Sequence, residues 1–497
     1  MHESDRLKSV IGLEIHVQLR TLSKMFCACA NDPNETTPNV NICPICLGHP
    51  GTLPTANAEA VKKVVQVGLA LNCEISSKSE FTRKSYFYAD LPKGYQISQS
   101  DNPLCSNGFL NISNRKIRIQ RIHLEEDTGR LAHEKGISLV DFNRAGLPLM
   151  ELVTEPDFCD GKEVDEFSRE LQLILRYLNA SDADMEKGEM RIEANVSVQP
   201  EKDIHASGTK VELKNINSFH AVRNAIDYEI ARQSDLINCG KKVAQETRGW
   251  DGQITILQRK KEIAQEYRYF PEPDLPPIRL SEKEIEDIKN NLPELPEIKR
   301  QRFAKEYFFV DSASEFRSES GDFESLIRDI NLGYYFEKTA SELLSWMKDE
   351  KISHDKSGIL IKLLLNYLTT DLKSMLNGVS INDIKITPEN FAELIILIFQ
   401  NKISSRIAKD VLREMFNTGR DPSHIIESKN LAQINDESAI RPLVSEILSE
   451  YPKLKDDYKK GKLSVMQFLI GQLMKKTRGT IEPDLARKIT EEELNKS

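Results

Sequence analysis

Four of the eight cysteines, Cys27, Cys29, Cys43 and Cys46, form a C-x-C-x13-C-P-x-C pattern. Thiolates two or three residues apart can reach one ion from a single tight turn, so the two pairs have the spacing of knuckles closing on one tetrahedral Zn²⁺. Four thiolates leave no open coordination position, which makes such an ion structural and not catalytic. The other reading is four reduced thiols in a loop. A second constellation is built on carboxylates. Glu14 and His16 stand two residues apart in VIGLEIHVQL and share one face of a strand. HLEEDTGR, from His123 to Arg130, holds three consecutive acids, and PLMELVTEPD embeds Glu151 among Leu149, Met150, Leu152 and Val153. A carboxylate in an apolar run needs a partner, because burying an isolated charge is expensive. Mg²⁺ suits that role, since it takes hard oxygen ligands and bridges phosphate oxygens.

Further polar sets surround these. RIEANVSVQ puts Arg191, Glu193, Asn195 and Ser197 on one face, and KVELK does the same for Lys210, Glu212 and Lys214, giving either a polar cleft or a solvated sheet surface. In FTRKSYFYADLPKGYQISQS, the bases Arg83, Lys84 and Lys93 interleave with Tyr86, Phe87, Tyr88 and Tyr95. Such a run can hold phosphate and stack a base, or pack its rings in a sheet core. There is no G-x-x-x-x-G-K-[ST] and no G-x-S-x-G, so neither a P-loop nor an obvious hydrolytic nucleophile is present.

The elements that must position these groups are mixed up to about residue 280. Val10–Leu19 alternates as a half-buried strand, and Lys116–Ile119, Arg191–Gln199 and Lys210–Lys214 repeat the pattern. Helical spacing follows Asn57, through Val61, Val64, Val65 and Leu69, and recurs over Glu163–Leu178. Four prolines in Tyr269–Leu280 forbid a helix and place the end of the first domain there. Residues 281–400 are patterned as helices with 22 acids and 15 bases, and 401–497 as helices with 18 bases and 15 acids. In the last part Val465, Phe468, Leu469 and Leu473 should dock one helix in a small bundle, leaving Lys475, Lys476 and Arg478 at its basic end to cap the helix or to touch the phosphates of a nucleic acid. With 497 residues, 39% hydrophobic and 29% charged, and a mean hydropathy of −0.45, the chain has the balance of a soluble protein of two to four domains. The longest apolar run, AELIILIF at 392–399, is too short to cross a bilayer, and the first residues do not read as a secretion signal. A net charge of −9 requires any RNA to be met by a local basic patch.

IGLEIHVQL, SKMFC, CPICLGHPGTLP, LPKGYQISQ, HLEEDTG, DFNRAGLPLMELVTEPD, DMEKGEMRIEANVSV, ELKNINSF, QETRGWD and EYRYFPEPDLPP occur in order and resemble the B subunits of the glutamyl-tRNA(Gln)/aspartyl-tRNA(Asn) amidotransferases. The resemblance runs from about Val10 to SVMQFLIGQLMKKTRG near the end. It implies an α+β fold: a cradle-shaped catalytic domain similar to glutamine synthetase (1–280), a helical domain (281–400) and a small helical tail that binds tRNA (401–497). It implies a cytoplasmic ligase that uses ATP to phosphorylate the side-chain carboxylate of Glu or Asp misattached to tRNA, after which ammonia displaces the phosphate. The ammonia comes from a separate amidase subunit, held in place by a short third subunit. The Mg²⁺ ligands fall on His16, Glu126 and Glu151, with Glu14 beside them; Lys84 and Tyr86 match the RKxYFY stretch, with Lys84 near phosphate; and the four cysteines match a zinc knuckle present in some members. The family commonly has Asp at Glu193 and His-Asp at Gln265 and Glu266. A non-catalytic tRNA scaffold is the competing reading, and the retained acids and histidine speak against it.

Overall fold

The alternation of Leu13, Ile15 and Val17 with Glu14, His16 and Gln18 folds into strand β1 (Leu7–Gln18) in the computed structural model. The structure describes residues 7–32, 34–113, 115–201, 208–260, 268–307, 321–433, 436–459, 461–462, 464–477 and 480–495. β1 is the central strand of a nine-stranded sheet with the order β14 (Thr255–Lys260), β13 (Glu246–Trp250), β12 (Val211–Lys214), β11 (Met190–Pro200), β1, β10 (Pro148–Thr154), β7 (Arg115–Glu126), β6 (Cys105–Ile112) and β2 (Glu74–Ile75), strands being numbered along the chain. Neighbours are antiparallel except β12 and β13.

One face of this sheet is core. Ile11, Leu13, Ile15 and Val17 lie with Ile117, Ile119, Ile122, Leu124, Ile192, Ala194 and Val196 against helices α1 (Ala58–Ala70), α2 (Gly161–Tyr177) and α3 (Phe219–Asn238). Asn57, Asp160 and Ser218 cap these helices by accepting hydrogen bonds from first-turn N–H groups. Each buried Leu, Ile or Val contributes about 1.5–3 kcal/mol. A one-residue slip of β1 would put Glu14 and His16 in that core, so burial also fixes which residues face the cleft.

The remaining strands are small additions: a hairpin of β4 (Thr82–Ser85) and β5 (Tyr95–Ser98) extended by β15 (Phe270–Pro271), the pair β3 (Lys78–Ser79) and β16 (Ile278–Arg279), and the hairpin β8 (Arg130–Glu134) and β9 (Ile137–Asp141). The proline-rich segment therefore contributes two short extended pairings, as its residues require. It does not end the unit. Helix α4 (Glu282–Asn290), closed by a capping box of Ser281 and Glu284, packs on α1, and Leu280, Leu292 and Leu295 lie against the sheet core. The chain divides at residue 296, into units of 1–296 and 297–497.

The second unit is helical throughout its described residues. Helix Pro388–Phe399 carries the AELIILIF run and is buried on nearly all sides, against helices Ile330–Asp349, Ser357–Asn366, Ser405–Thr418 and Pro422–Lys429. An all-round apolar helix of this length is an interior helix. A separate core gathers Ile440, Val444, Ile447, Val465, Leu469, Leu473, Ile481 and Ile489 from the last helices. Val465, Leu469 and Leu473 dock as their spacing predicts, whereas Phe468 is 40% exposed and meets Tyr451 edge to face. Lys476 is ion-paired with Glu446 at 2.7 Å and Glu450 at 3.5 Å; Arg478 lies outside the described residues.

Glu393 in the interior helix supplies a pH test. Burial, and then Asp421 and Glu389 nearby, raise its carboxyl to about 7, with Ser423 donating a hydrogen bond to it in partial opposition. The folded state thus holds a proton that the unfolded chain releases above about 4.5. Its contribution to stability is full below that value and is lost as pH rises towards 7. Urea midpoints of wild type and Glu393→Gln are expected to diverge across pH 4.5–7, with the wild type falling relative to the variant, and to run parallel above it.

Candidate active site and metal-binding clusters

The face of the sheet opposite the core is polar because strand register lines up its charges. His16 on β1 lies opposite Glu151 on β10, which lies opposite His123 on β7. Cross-strand partners share a face, so the three side chains meet. Glu151 Oε2 is 3.4 Å from His16 Nε2 and 3.4 Å from His123 Nε2, and its Oε1 is 3.7 Å from Arg121. Glu125, two residues beyond His123 on β7, brings Oε1 to 3.3 Å from His16 Nε2, and Glu14 Oε1 is 3.9 Å from the same nitrogen. Burial opposes a charged imidazole, but hydrogen bonding to Glu125 and Glu151 outweighs it and raises His16 to about 10. Burial likewise opposes the Glu151 carboxylate, yet His123 and His16 hold it well below the usual carboxylate range. Burial first, and then the Glu151 charge, push Glu14 up.

Three carboxylates in one place fit a hard divalent cation, which on binding would take the place of the proton on His16. Two overlapping sets, Glu14–His16–Glu151 and His123–Glu125–Glu151, each offer three ligand atoms within 4.8 Å of one another. Glu126 is not in either. Consecutive residues of a strand project to opposite sides, and with Ile122 and Leu124 in the core it is His123 and Glu125 that face His16. Glu126 turns away: its Oε1 accepts from the Ile97 N–H at 2.9 Å and pairs with Lys93, and it lines a cavity of about 190 Å³ with Phe26, Cys46 and Tyr95. The structure thus brings His16 to Glu125 and Glu151, and does not bring to them the Glu126 expected from the sequence. The seating of Ile122 and Leu124 in the core sets the phase that turns His123 and Glu125 to the cluster.

Other expected residues sit at the rim. Glu193 lies opposite Glu14 in register and pairs with Lys214 at 2.6 Å. Lys84 pairs across the hairpin with Gln96, and Tyr86 follows at the end of β4. The hairpin is fastened to β7, with Gln96 Nε2 donating to the Glu126 carbonyl at 2.8 Å and Ser98 Oγ 3.5 Å from Glu125 Oε2. Antiparallel partners share a face, so Lys84 lies on the side of the hairpin that Gln96 and Ser98 turn to β7. Arg83 locks the same hairpin to the proline-rich segment through a two-bond pairing with Glu272 at 2.6 and 2.9 Å and a third bond to Asp274 at 3.0 Å. Gln265 and Glu266 lie outside the described residues.

Cys27, Cys29, Cys43 and Cys46 bring their sulphurs within 4.8 Å of one another. Cys43 and Cys46 Sγ are 3.9 Å apart, close to the roughly 3.8 Å expected between ligands on a tetrahedral ion with bonds of about 2.3 Å. The surroundings favour thiolate at Cys46 and thiol at Cys27 and Cys29. Hydrogen bonding from Cys27, then the Cys43 N–H at 3.2 Å and Lys24 Nζ at 3.7 Å, lower Cys46 to about 4 against burial. Burial holds Cys29 up at about 11. The fully buried Lys24 also donates to the Ala145 and Phe142 carbonyls at 2.8 and 3.2 Å, so the knuckle is tied to the turn before β10. Gly146 in that turn, at φ +84°, lets its backbone lie beside Cys46.

Residues 9–286, which contain every group of both clusters, match the family model described as GatB/GatE catalytic domain. Residues 336–494 match that of the GatB domain. The aspartyl/glutamyl-tRNA(Asn/Gln) amidotransferase of Dehalococcoides mccartyi has a B subunit that is 44% identical, over 98% of this chain and 99% of its own. The chain belongs to this family of amidotransferase B subunits. The family members of the same name from Persephonella marina and Thermotoga maritima are 43% and 42% identical, each over 98% of this chain and 99% of its own. The two family models fall in different units of the fold, the first within 1–296 and the second within 297–497. Among the described residues no helix is long and apolar enough to cross a membrane.

Proposed function

We propose that this chain is the activating subunit of a tRNA-dependent amidotransferase. It uses ATP to phosphorylate the side-chain carboxylate of Glu on tRNA(Gln), or Asp on tRNA(Asn), so that ammonia can displace the phosphate and leave the amide. The carrying observation is the convergence of Glu14, His16, Glu125 and Glu151 around one point on the open face of the sheet, with His123 and Arg121 behind Glu151. Burying that many charges would destabilise a chain that merely presented tRNA to others. His16, Glu125 and Glu151 would hold a Mg²⁺ ion, with Glu14 beside it. That ion supplies charge neutralisation between the nucleotide phosphates and the carboxylate being activated. The chain's own residues do the rest: Arg121 and His123 fix Glu151, Ser98 orients Glu125, and Lys84 on the β4–β5 hairpin meets phosphate. The catalytic unit's sheet-and-helix architecture supports a cradle similar to that of glutamine synthetase.

The four thiolates hold Zn²⁺ as a closed structural site, supported by their spacing and by Lys24. Ammonia reaches the activated carboxylate from a separate amidase subunit, with a short third subunit completing a cytoplasmic complex. The last helices contribute tRNA binding through Lys475, beside Lys476 and Arg478. Deleting 436–497, the helices that share a core of their own, is expected to weaken tRNA affinity and flatten its dependence on salt; unchanged affinity and slope would leave those bases as helix caps only. The assembled complex, supplied with ATP, Mg²⁺, glutamine and Glu-tRNA(Gln), should form Gln-tRNA(Gln), and failure to do so with either misacylated tRNA would refute the function.

A further inference from the structure

Next to the carboxylate cluster the same face carries a charged group that the function above does not use. Asp127 is buried and accepts from two guanidiniums: Arg191 Nη2 reaches Oδ1 at 2.9 Å, and Arg144 Nη2 and Nε reach Oδ2 at 2.7 and 3.2 Å. Burial disfavours the Asp127 charge, but Arg191 and Arg144 together outweigh it and keep the carboxyl below its usual range. One carboxylate between two guanidiniums leaves a net positive charge. The arginines are not consumed by the pairing, since their side chains remain 47% and 31% exposed. An Arg pair serving only to hold strands together would be expected to bury both forks.

Their position is informative. Arg191 stands directly opposite His16 in the β1–β11 register and shares a face of β11 with Glu193. Glu125 and Glu193 are near enough to stabilise its charge. The arginines thus border the cluster of cation ligands, one presenting positive charge and the other attracting it. A phosphoryl group in transfer carries its charge on three equatorial oxygens, which suits a planar guanidinium fork on one side and a divalent ion on the other. A tRNA backbone phosphate would gain nothing from the adjacent cation ligands.

We propose that Arg191 and Arg144, aimed by Asp127, hold the γ-phosphoryl group of ATP on its way to the carboxylate. Arg191 is the contact residue and Asp127 a positioning residue. The assignment rests on the phosphoryl-transfer reading above. It predicts discrimination by one phosphate, which is read by equilibrium binding of ADP and of a non-hydrolysable β,γ-imido ATP analogue to the assembled complex with Mg²⁺. A charge-assisted hydrogen bond of about 1.5–3 kcal/mol corresponds to roughly tenfold or more. Arg191→Gln should therefore weaken the analogue by at least about tenfold while ADP changes by less than about twofold. Arg191→Lys keeps a charge beside Asp127 and should stay folded with a smaller loss, again confined to the analogue. Equal weakening of both nucleotides, or no weakening in either variant, would overturn the assignment. So would weaker binding of misacylated tRNA with the analogue unaffected, which would give the arginines to nucleic acid. If the wild-type complex did not bind the analogue at all, the phosphoryl-transfer reading itself would fall, and the assignment with it.

Discussion

Glu151→Gln is expected to lower ATP-dependent activation of misacylated tRNA by roughly 10²–10⁴-fold, the range that several kcal/mol of cation-supplied stabilisation sets. Glu151 is the shared member of both ligand sets and sits between His16 and His123 at 3.4 Å from each. The amide keeps its shape but carries no charge, so the cation loses its common ligand and the two histidines lose the carboxylate they share. Glu125→Gln should act in the same direction, because Glu125 is the carboxylate nearest His16, at 3.3 Å. Glu126→Gln should leave metal affinity unchanged, since its carboxylate is turned to Lys93 and the Ile97 N–H. Metal titration of the three variants checks the ordering, and assembly with the partner subunits reports on their folding. Equal metal affinity in all three would remove the cluster from the mechanism.

Removal of zinc is expected to have the second-largest effect, on structure and not on chemistry. Structural zinc contributes on the order of 10 kcal/mol to isolated zinc-binding peptides. Here the ion would close residues 27–46, a loop otherwise held by hydrogen bonds across to the β9 end: Asn39 N–H to Asp141 Oδ1 at 3.0 Å, Asn41 N–H to Asn143 Oδ1 at 2.9 Å and Asn143 Nδ2 to the Thr37 carbonyl at 2.7 Å. Chelation, or Cys43→Ser, should raise the rate of proteolysis within residues 25–50 by about tenfold or more, the ratio that ~1.4 kcal/mol of local stability produces. Activity should fall less than in Glu151→Gln, because no ligand of the carboxylate cluster belongs to the loop. Metal analysis should find one zinc per chain. A zinc-free protein, or a loop equally resistant with and without chelator, would contradict the closed tetrahedral site.

Legibility in the sequence depended on how local the determining physics was. The alternation over Leu13–Gln18 placed Glu14 and His16 on one face, and the embedding of Glu151 in apolar residues marked it as a buried charge in need of partners. Both follow from a strand's two-residue period. The knuckle was legible because cysteines two or three apart constrain geometry by themselves. The choice between Glu125 and Glu126 was different. Three consecutive acids carry no period of their own, and their phase is set by Ile122 and Leu124 seating in the core further along β7. Nor could the division of the chain be placed from the prolines. Residues 282–295 continue past them and return to the sheet core through Leu292 and Leu295, a tertiary contact that no local pattern announces. The pairing of Arg191 and Arg144 on Asp127 likewise joins residues up to 64 positions apart.

The most direct measurement is transfer of the γ-phosphoryl group from labelled ATP to Glu-tRNA(Gln) in the assembled complex without glutamine or ammonia. The account predicts label on the aminoacyl-tRNA with the wild-type chain and none above background with Glu151→Gln, both complexes having the same subunit composition. Label transfer by the Glu151→Gln complex at the wild-type rate would contradict it.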